Sequence, residues 1–312
     1  MANEPIVWAD PRPLLARITH TDELVAPAPS QRGQIAAIVA RESAETLVGQ
    51  PTGLRVELLR RLIGPVADHV ARRFVAYDRA LGEAGMHHGS TWIVDHATGG
   101  VTIRGRDRVP GAGPLLVVAN HPGLSDAVAL LAALGRDDAW IVAANYPFLH
   151  AMRLASRRFL FVSDDRSDRL SAFRGIVSRL RRGDTVLVFP AGGLELDPAL
   201  APDAALASLD SWSRSIELLA RVAEDTVVVP AVVSGVVSPS AFDHPLAKHR
   251  RALKERQRMA TLLQLTLPAY RSNPINVTFG APIAGCTREV HGEVIAAMRD
   301  LIAIASARGS RS

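Results

Sequence analysis

The chain has 312 residues, of which 48% are hydrophobic and 21% are charged; this is a globular composition, and it excludes a disordered or collagen-like chain. One cysteine, Cys286, excludes a disulfide framework and any cysteine-based metal site. The net charge of +5 rests on arginine, since only Lys248 and Lys254 are lysines, and arginine favours contact with phosphate on a lipid, a nucleotide or a nucleic acid.

The first part of the chain is predicted to be an arm followed by two helices. Residues 1–30 are rich in proline and alanine without a clear period, which indicates an extended N-terminal arm. Amphipathic patterns over Arg32–Val48 and Gly53–Leu81, separated by a break at residues 50–53, predict two antiparallel helices. We therefore assign residues 31–85 to a helical hairpin.

The remainder, residues 86–312, is predicted to be an α/β domain. Short strands are expected at Thr91–Val94 and Val101–Arg104, and beyond them apolar runs of strand length alternate with helical segments. Strands buried on both faces between helices indicate a mostly parallel central sheet flanked by helices. The further predicted strands are Leu115–Ala119, Trp140–Ala144, Phe159–Ser163, Thr185–Pro190, Thr226–Val233 and Asn276–Phe279. The predicted helices are Asp126–Leu134, Phe148–Ala155, Asp168–Arg181, Leu209–Val222, Leu246–Leu267 and Arg288–Ser306.

The sharpest chemical signal follows the strand Leu115–Ala119. His121 lies at the carboxyl end of that strand, where ligands bind in open α/β sheets, and Asp126 opens the next helix. Two residues five apart on one helix would diverge by about 140°. With His121 in the turn, however, the Asp126 carboxylate can fold back onto the imidazole, fix its tautomer and leave the other nitrogen free to take a proton from a hydroxyl.

Four blocks in order make the chain resemble the glycerophospholipid acyltransferases, which include glycerol-3-phosphate and lysophosphatidate acyltransferases. Asn120-His-Pro-Gly-Leu-Ser-Asp126 resembles the N-H-x4-D block of that family, and Phe159–Arg166 resembles an apolar strand ending in arginine. Val188–Glu195 is similar to the F-P-E-G-T block, and Val228–Val232 to the closing apolar block with its proline. Ala191 stands where the family usually has glutamate and Gly193 where it has threonine, so the double glycine is nearer to the plastid-type enzymes.

The resemblance implies an enzyme that moves a fatty acyl group from an acyl thioester, on coenzyme A or acyl carrier protein, to the hydroxyl of a glycerolipid acceptor such as lysophosphatidate or glycerol 3-phosphate. His121 would be the general base and Asp126 its orienting partner, and backbone N–H groups near Gly192 and Gly193 would stabilise the oxyanion. No metal or redox cofactor is implied. The substrate-binding candidates are Asn120, Arg166, Phe189, Pro190, Gly192 and Gly193, with Arg157, Arg158, Arg169 and Glu195 as further candidates.

Two alternatives stay open at this point. Ser125 within Gly123–Ala127 loosely resembles a nucleophile elbow, which would make the chain a serine hydrolase that finds its histidine at His244, His249 or His291. The altered third block is also compatible with a lipid-binding protein that keeps the fold without catalysis. Loss of activity in His121→Ala or in Ser125→Ala would distinguish these classes.

The remaining expectations concern partners and location. The basic, then apolar segment Leu246–Leu267 predicts a helix that makes peripheral contact with an anionic membrane. Its charges are not interleaved with aromatic residues, so we expect no nucleic acid partner. No apolar run reaches about 18 residues and the N-terminus is unlike a secretion signal, so we expect a cytoplasmic protein, peripheral on the inner face of the cell membrane. The group His87, His88, Asp95 and His96 lacks ligand spacing and is expected to be a solvated loop.

Overall fold

The computed structural model describes residues 30–48, 53–163, 165–222 and 225–309. The predicted arm at residues 1–30 lies outside the described residues except for Ser30, and the predicted helix break does so except for Gly53. The helices are α1 Gln31–Val48, α2 Leu54–Ala84, α3 Met86–Ala97, α4 Asp126–Leu134, α5 Pro147–Ala151, α6 Arg166–Arg181, α7 Pro202–Ser208, α8 Ser215–Ala220, α9 Pro239–Phe242, α10 Pro245–Lys248, α11 Leu253–Thr266 and α12 Val290–Gly309. The strands are β1 Val101–Arg104, β2 Leu115–Ala119, β3 Ala139–Ala144, β4 Phe159–Val162, β5 Thr185–Val188, β6 Val227–Ser234, β7 Ile275–Phe279 and β8 Ile283–Ala284.

All eight strands form one sheet, and the predicted α/β class with a mostly parallel central sheet is confirmed. The strand order is β1-β7-β6-β2-β5-β3-β4, and β8 pairs with β6 beside β7. The pairings of β2 with β5 and β6, of β3 with β4 and β5, and of β1 with β7 are parallel, whereas β7 and β8 run antiparallel to β6. The carboxyl ends of β2 to β6 therefore meet at one edge of the sheet, which we call the carboxyl edge.

The alternation of side chains along the central strand β2 separates two hydrophobic layers. Leu115, Val117 and Ala119 pack into one core cluster with residues of α1 to α4, while Leu116 and Val118 pack into a second cluster with residues of α6 and α12. All five side chains of β2 are completely buried. A strand covered on both faces in this way holds the loop that follows it, residues 120–125, at a fixed place on the carboxyl edge.

Helices α1 and α2 form the predicted helical hairpin and are joined to the sheet by a buried carboxylate. Asp78 of α2 accepts hydrogen bonds from the Gln31 side chain at 2.6 Å and from the backbone N–H groups of Leu154 and Ala155 at 2.9 and 2.8 Å. From Gln31 onward the chain forms one compact unit. A domain division at residue 85 stays a prediction.

Several predicted elements differ from the structure. Thr91–Val94 lies within helix α3 and is not a strand, because the buried Met86, Ser90, Ile93 and Val94 recur at helical spacing against the core. Leu246–Leu267 is divided into α10 and α11, and Leu209–Val222 contains a 3-10 turn at Leu209–Ser211 before the short α8. None of the described helices combines the length and the apolar content needed to cross a bilayer.

Candidate active site

The loop after β2 is fixed at its first residue. Asn120 is 2% exposed, its side-chain amide donates to the Val233 carbonyl at 2.9 Å, and its side-chain oxygen accepts from the Val233 N–H at 2.8 Å. Both polar atoms of Asn120 are therefore occupied by β6. This corrects the expectation that Asn120 binds substrate: its side chain extends the pairing of β2 and β6 and sets where the next residue begins.

His121 and Asp126 form the hydrogen-bonded pair that the sequence predicts. The His121 Nδ1 lies 2.7 Å from Asp126 Oδ2, and the Asp126 side chain is 1% exposed, whereas that of His121 is 30% exposed. Asp126 is the first residue of α4, and its carboxylate also accepts from the N–H groups of Gly123 at 3.0 Å and Ala127 at 2.6 Å. The carboxylate therefore has a fixed orientation, and the His121 Nε2 makes no hydrogen bond within the described part of the chain.

The surroundings of His121 favour its protonated form. Burial of the ring by itself lowers the pKa of His121. The charge and the hydrogen bond of Asp126, together with the charge of Glu195, raise the pKa by more than burial lowers it, so the pKa lies above its ordinary value. The ring also stacks on Phe189, the residue after β5, with centroids 4.5 Å apart and planes 28° apart. Because Asp126 accepts the Nδ1 proton, the lone pair of the neutral ring lies on Nε2.

The loop after β5 is tied to the loop after β2 through Glu195. The Glu195 N–H donates to the His121 carbonyl at 2.8 Å, and the His121 N–H donates to Glu195 Oε2 at 3.0 Å. The other oxygen, Glu195 Oε1, accepts from Ser208 Oγ at 2.6 Å and from the Trp212 indole N–H at 2.9 Å. Glu195 is 3% exposed, so it lies under the site and does not line its open side.

Helix α11 contributes a second buried polar contact to the same loops. The Gln257 side-chain amide donates to the carbonyls of Pro122 at 2.8 Å and Glu195 at 2.7 Å, and its oxygen accepts from the Asp197 N–H at 3.0 Å. Asp197 in turn accepts from the N–H groups of Gly235 and Val237 after β6. The side chains of Gln257 and Asp197 therefore connect the segments that follow β2, β5 and β6 at the carboxyl edge.

The double glycine leaves space but offers fewer donors than the sequence suggests. The N–H of Gly192 donates to the Phe189 carbonyl at 3.1 Å in a turn, and Gly192 has a φ of 66°, which favours glycine. The N–H of Gly192 is therefore not available to stabilise the oxyanion, and the prediction for Gly192 is wrong. The exposed Gly193 has no atom within 4 Å of a Cβ placed on it, and its N–H makes no hydrogen bond within the described residues, so it stays a candidate. The Pro190 carbonyl accepts from the N–H of Ser213.

The candidate arginines are divided between the two edges of the sheet. Arg157 and Arg158 precede β4 in a 3-10 turn and so lie at the opposite, amino edge of the sheet. Arg158 packs there over the Trp140 ring at 5.3 Å. The prediction that these two arginines belong to the site is therefore wrong. Arg166 and Arg169 follow β4 on the first turn of α6, at the carboxyl edge and exposed. Three strand spacings, about 14 Å, separate the end of β4 from the end of β2, and no hydrogen bond or ion pair joins either arginine to His121 within the described residues.

The serine hydrolase arrangement is not formed. Ser125 caps α4 without a side-chain hydrogen bond to the helix, and no histidine bonds to its hydroxyl within the described ranges. His244 Nδ1 instead accepts from the Leu246 N–H, and His291 Nε2 lies 3.3 Å from the Trp212 carbonyl. The described residues contain no group of three or more histidine, cysteine or carboxylate side chains that could hold a metal ion.

The sequence gives no signal for some of the residues that build this site. Ser208, Trp212, Gln257 and Asp197 lie in segments without a recognisable motif, and their contacts depend on how the helices α7 to α11 return to the carboxyl edge. The only indication of them is that Glu195 and Asp197 are carboxylates in an otherwise apolar, proline-containing stretch after β5.

Comparison with known proteins finds a family model that matches the part of the chain containing the site. Residues 100–234 match the family model described as Acyltransferase. No curated protein matches the sequence. Among solved structures, the chain is similar to the crystal structure of the 1-acyl-sn-glycerophosphate (LPA) acyltransferase PlsC from Thermotoga maritima, at 14% identity over 89% of this chain and 91% of that chain, with a TM-score of 0.36. The matched segment contains His121, Asp126 and Glu195, and it carries the blocks that resemble the glycerophospholipid acyltransferases.

Proposed function

We propose that this acyltransferase moves a fatty acyl group from an acyl thioester to the hydroxyl of a glycerolipid acceptor, a step of phospholipid biosynthesis. The observation that carries the proposal is the 2.7 Å contact between His121 Nδ1 and the buried Asp126, with Nε2 free of hydrogen bonds to any described residue on a side chain that is 30% exposed. A histidine that only packs in a core would need neither a fixed tautomer nor an open nitrogen. The proposal of a glycerolipid acceptor is supported by the four sequence blocks, which resemble those of enzymes with glycerolipid acceptors.

The proposed reaction needs one proton carrier. His121 Nε2 takes the proton of the acceptor hydroxyl as its oxygen attacks the thioester carbonyl carbon, and a tetrahedral oxyanion forms. Asp126 stabilises the imidazolium that results, as the carboxylate of other histidine-containing triads does. Collapse of the intermediate breaks the carbon–sulfur bond, and the imidazolium returns the proton to the departing thiolate. The products are the ester and the free thiol of coenzyme A or acyl carrier protein.

The oxyanion needs hydrogen-bond donors at the carboxyl edge. Of the double glycine, Gly193 has the unengaged N–H and an open approach, because no side chain or backbone lies within 4 Å of its Cβ position. One such donor contributes about 3–4 kcal/mol in other acyl-transfer enzymes. We assign this role to Gly193, and Arg166 and Arg169 stay proposals as cations for an acceptor phosphate.

The test is acyl transfer by the purified protein, with acyl-CoA or acyl-ACP as donor and lysophosphatidate or glycerol 3-phosphate as acceptor. We expect thiol release that depends on the acceptor. His121→Ala should lower the rate by roughly 10²–10⁴-fold, the usual contribution of a general base. Ser125→Ala is the matched control on the same loop and should retain the rate.

Each other outcome contradicts the proposal in a specific way. Equal rates for wild type and His121→Ala would remove His121 as the base. Loss of activity in Ser125→Ala, together with labelling by a fluorophosphonate probe, would favour the hydrolase. Absence of thiol release with every acceptor would favour a lipid-binding protein of the same fold.

We further propose peripheral contact with an anionic membrane, with α2 as an element that makes it. Arg250 in the predicted segment Leu246–Leu267 donates to the carbonyls of Thr46 and Leu47 at the end of α1, and Arg256 donates to the Phe242 carbonyl and to Asp243. These guanidinium groups are occupied within the protein. An exposed apolar row with flanking arginines lies instead on α2, at Leu54, Leu58 and Leu62 with Arg55 and Arg61.

A further inference from the structure

We propose that Glu195 is a positioning residue for His121: its buried carboxylate holds the His121 backbone and places a second negative charge beside the ring. The effect of Glu195 on catalysis rests on the proposed function, because Glu195 would set the geometry and the charge around the proposed base, His121. The sequence resemblance assigns no such role, because the family has its glutamate four positions earlier in the block.

The first step of the argument is the paired backbone contact. Glu195 and His121 exchange two hydrogen bonds, from the Glu195 N–H to the His121 carbonyl at 2.8 Å and from the His121 N–H to Glu195 Oε2 at 3.0 Å. Both polar backbone groups of His121 are therefore bonded to one residue, 74 positions away in the chain. The ring has two side-chain torsions beyond this fixed point, and its contacts with Asp126 and Phe189 restrict them.

The second step concerns the other carboxylate oxygen. Glu195 Oε1 accepts from Ser208 Oγ and Trp212 Nε1, so the side chain is held at both ends in a site that is 3% exposed. None of its hydrogen-bond partners within the described residues is a lysine or arginine. A buried carboxylate without a cation is costly unless it is fully hydrogen-bonded, and an adjacent positive charge stabilises it. The imidazolium formed at His121 during acyl transfer supplies such a charge.

The third step is the neighbouring substitution in the block. Ala191, at the position where the family usually has glutamate, is half-buried and packs against the core cluster on the α6 and α12 side of the sheet. A carboxylate at position 191 would have to enter that apolar layer or displace the chain. Glu195 instead reaches the His121 loop from the far end of the same turn, after the two glycines.

The charge environment agrees with this geometry. Asp126 and Glu195 are the charged groups that act on His121 within the described residues; burial lowers the pKa of His121, and the two carboxylates raise it above its ordinary value. Removal of the Glu195 charge should therefore make the imidazolium less stable, and His121 should lose its proton at lower pH.

The experiment isolates the charge from the packing. A glutamine at position 195 keeps an oxygen for the His121 N–H but turns its NH₂ group towards the Trp212 indole N–H, where two donors would face each other. We therefore compare Trp212→Phe with the double variant Trp212→Phe/Glu195→Gln, in which the new NH₂ group can donate to Ser208 Oγ. Glu293→Gln, an exposed charge on α12, is the matched control in the same background.

Two measurements are made on each variant. The pH dependence of kcat/KM gives the deprotonation of the base in the free enzyme, and an NMR titration of the His121 ring gives the same pKa without substrate. We expect both midpoints to move to lower pH in the double variant relative to Trp212→Phe, with the thermal unfolding midpoint retained and no shift in the Glu293→Gln control. Glu195→Ala, which also removes the hydrogen bond to the His121 N–H, should lower kcat/KM by on the order of 10–100-fold, as a misplaced catalytic group does.

An unchanged His121 titration in the double variant would overturn the inference, and Glu195 would then be a contact of the loop alone. The same holds if activity falls only in proportion to the folded fraction. If the wild-type protein transfers no acyl group, the proposed function fails, yet the NMR titration still decides whether Glu195 acts on His121.

Discussion

At the residue scale, the proposed role of His121 as the general base implies that its protonation sets the pH range of the reaction. The pKa of His121 is raised because the charge and hydrogen bond of Asp126, with Glu195, outweigh the burial that lowers it. A general base must be neutral, so activity is lost as pH falls through this pKa. The same shift stabilises the folded chain below the unfolded-state value of about 6.5, and this stabilisation is lost as pH rises through the folded-state value.

We predict that kcat/KM falls on the acid side with a midpoint above about 6.5, the ordinary histidine value. In Asp126→Asn the midpoint should move to lower pH, because the negative charge is gone. The rate should also fall, by up to roughly 10⁴-fold, since the amide NH₂ can face Nδ1 and select the wrong tautomer. A pH–rate profile of both proteins measures this. An Asp126→Asn profile that coincides with that of the wild type would contradict the assigned pair.

How far this site can be predicted depends on sequence distance. His121 and Asp126 are five residues apart, and a strand, a Pro-Gly turn and a helix start suffice to bring them together. The partners of Glu195 come from residues 208 and 212, and its backbone partner is 74 residues away. No local pattern encodes those contacts, because they follow from the order of strands in the sheet. Arg157 shows the converse error: proximity to a strand in sequence does not say which end of the strand it lies at.

At the element scale, the loops after β5 and β6 depend on one buried carboxylate. Asp197 is fully buried and accepts from the N–H groups of Ala199, Gly235 and Val237. Burial raises the pKa of Asp197, and its backbone hydrogen bonds partly offset that rise. The group thus joins the segment that contains Glu195 to the segment that follows the central strand β6.

We predict that Asp197→Ala destabilises the fold strongly, because the buried N–H groups of Gly235 and Val237 and the partly buried N–H group of Ala199 lose their acceptor, at a cost of about 1–3 kcal/mol for each buried group. The loss in free energy of unfolding should be on the order of 3 kcal/mol or more, measured by urea denaturation. Asp203→Ala, an exposed carboxylate on the first turn of α7, is the control and should cost no more than about 1 kcal/mol. Equal midpoints for the two variants would show that Asp197 does not hold these loops.

Helices and strands are predictable from the sequence where their apolar runs are long. Leu115–Ala119 and Asp126–Leu134 have the predicted bounds, since a fully buried strand and a capped apolar helix have distinct patterns. The strand predicted at Thr91–Val94 is wrong because Thr-Trp-Ile-Val is a short run of residues with high strand propensity, whereas packing of Met86 and Ile93 against the core favours the helix.

At the scale of the whole molecule, helix α2 exposes a row of apolar side chains. Leu54, Leu58 and Leu62 recur every four residues along one face of α2, and they are 87, 60 and 69% exposed. Val56 and Ile63 on the opposite face pack inward, so the helix is anchored while this row faces outward. Arg55 and Arg61 flank the row and are exposed. An apolar row bordered by arginines has the character of a helix that lies in the headgroup region of an anionic membrane.

We predict that the wild-type protein sediments with vesicles of phosphatidylcholine and phosphatidylglycerol, and less so as salt is raised. Leu58→Ser should weaken this binding, and the triple variant with Leu54→Ser and Leu62→Ser should weaken it further, since a buried leucine contributes up to about 1.5–3 kcal/mol and each nearby arginine about 1 kcal/mol. Leu218→Ser is the matched control, because Leu218 on α8 is 57% exposed and lies outside the row. Acyl transfer to a water-soluble acceptor should be retained in all three variants. If the triple variant binds vesicles as the wild type does, the membrane contact lies elsewhere on the protein; if wild type binds neutral vesicles equally well, the arginines take no part in it.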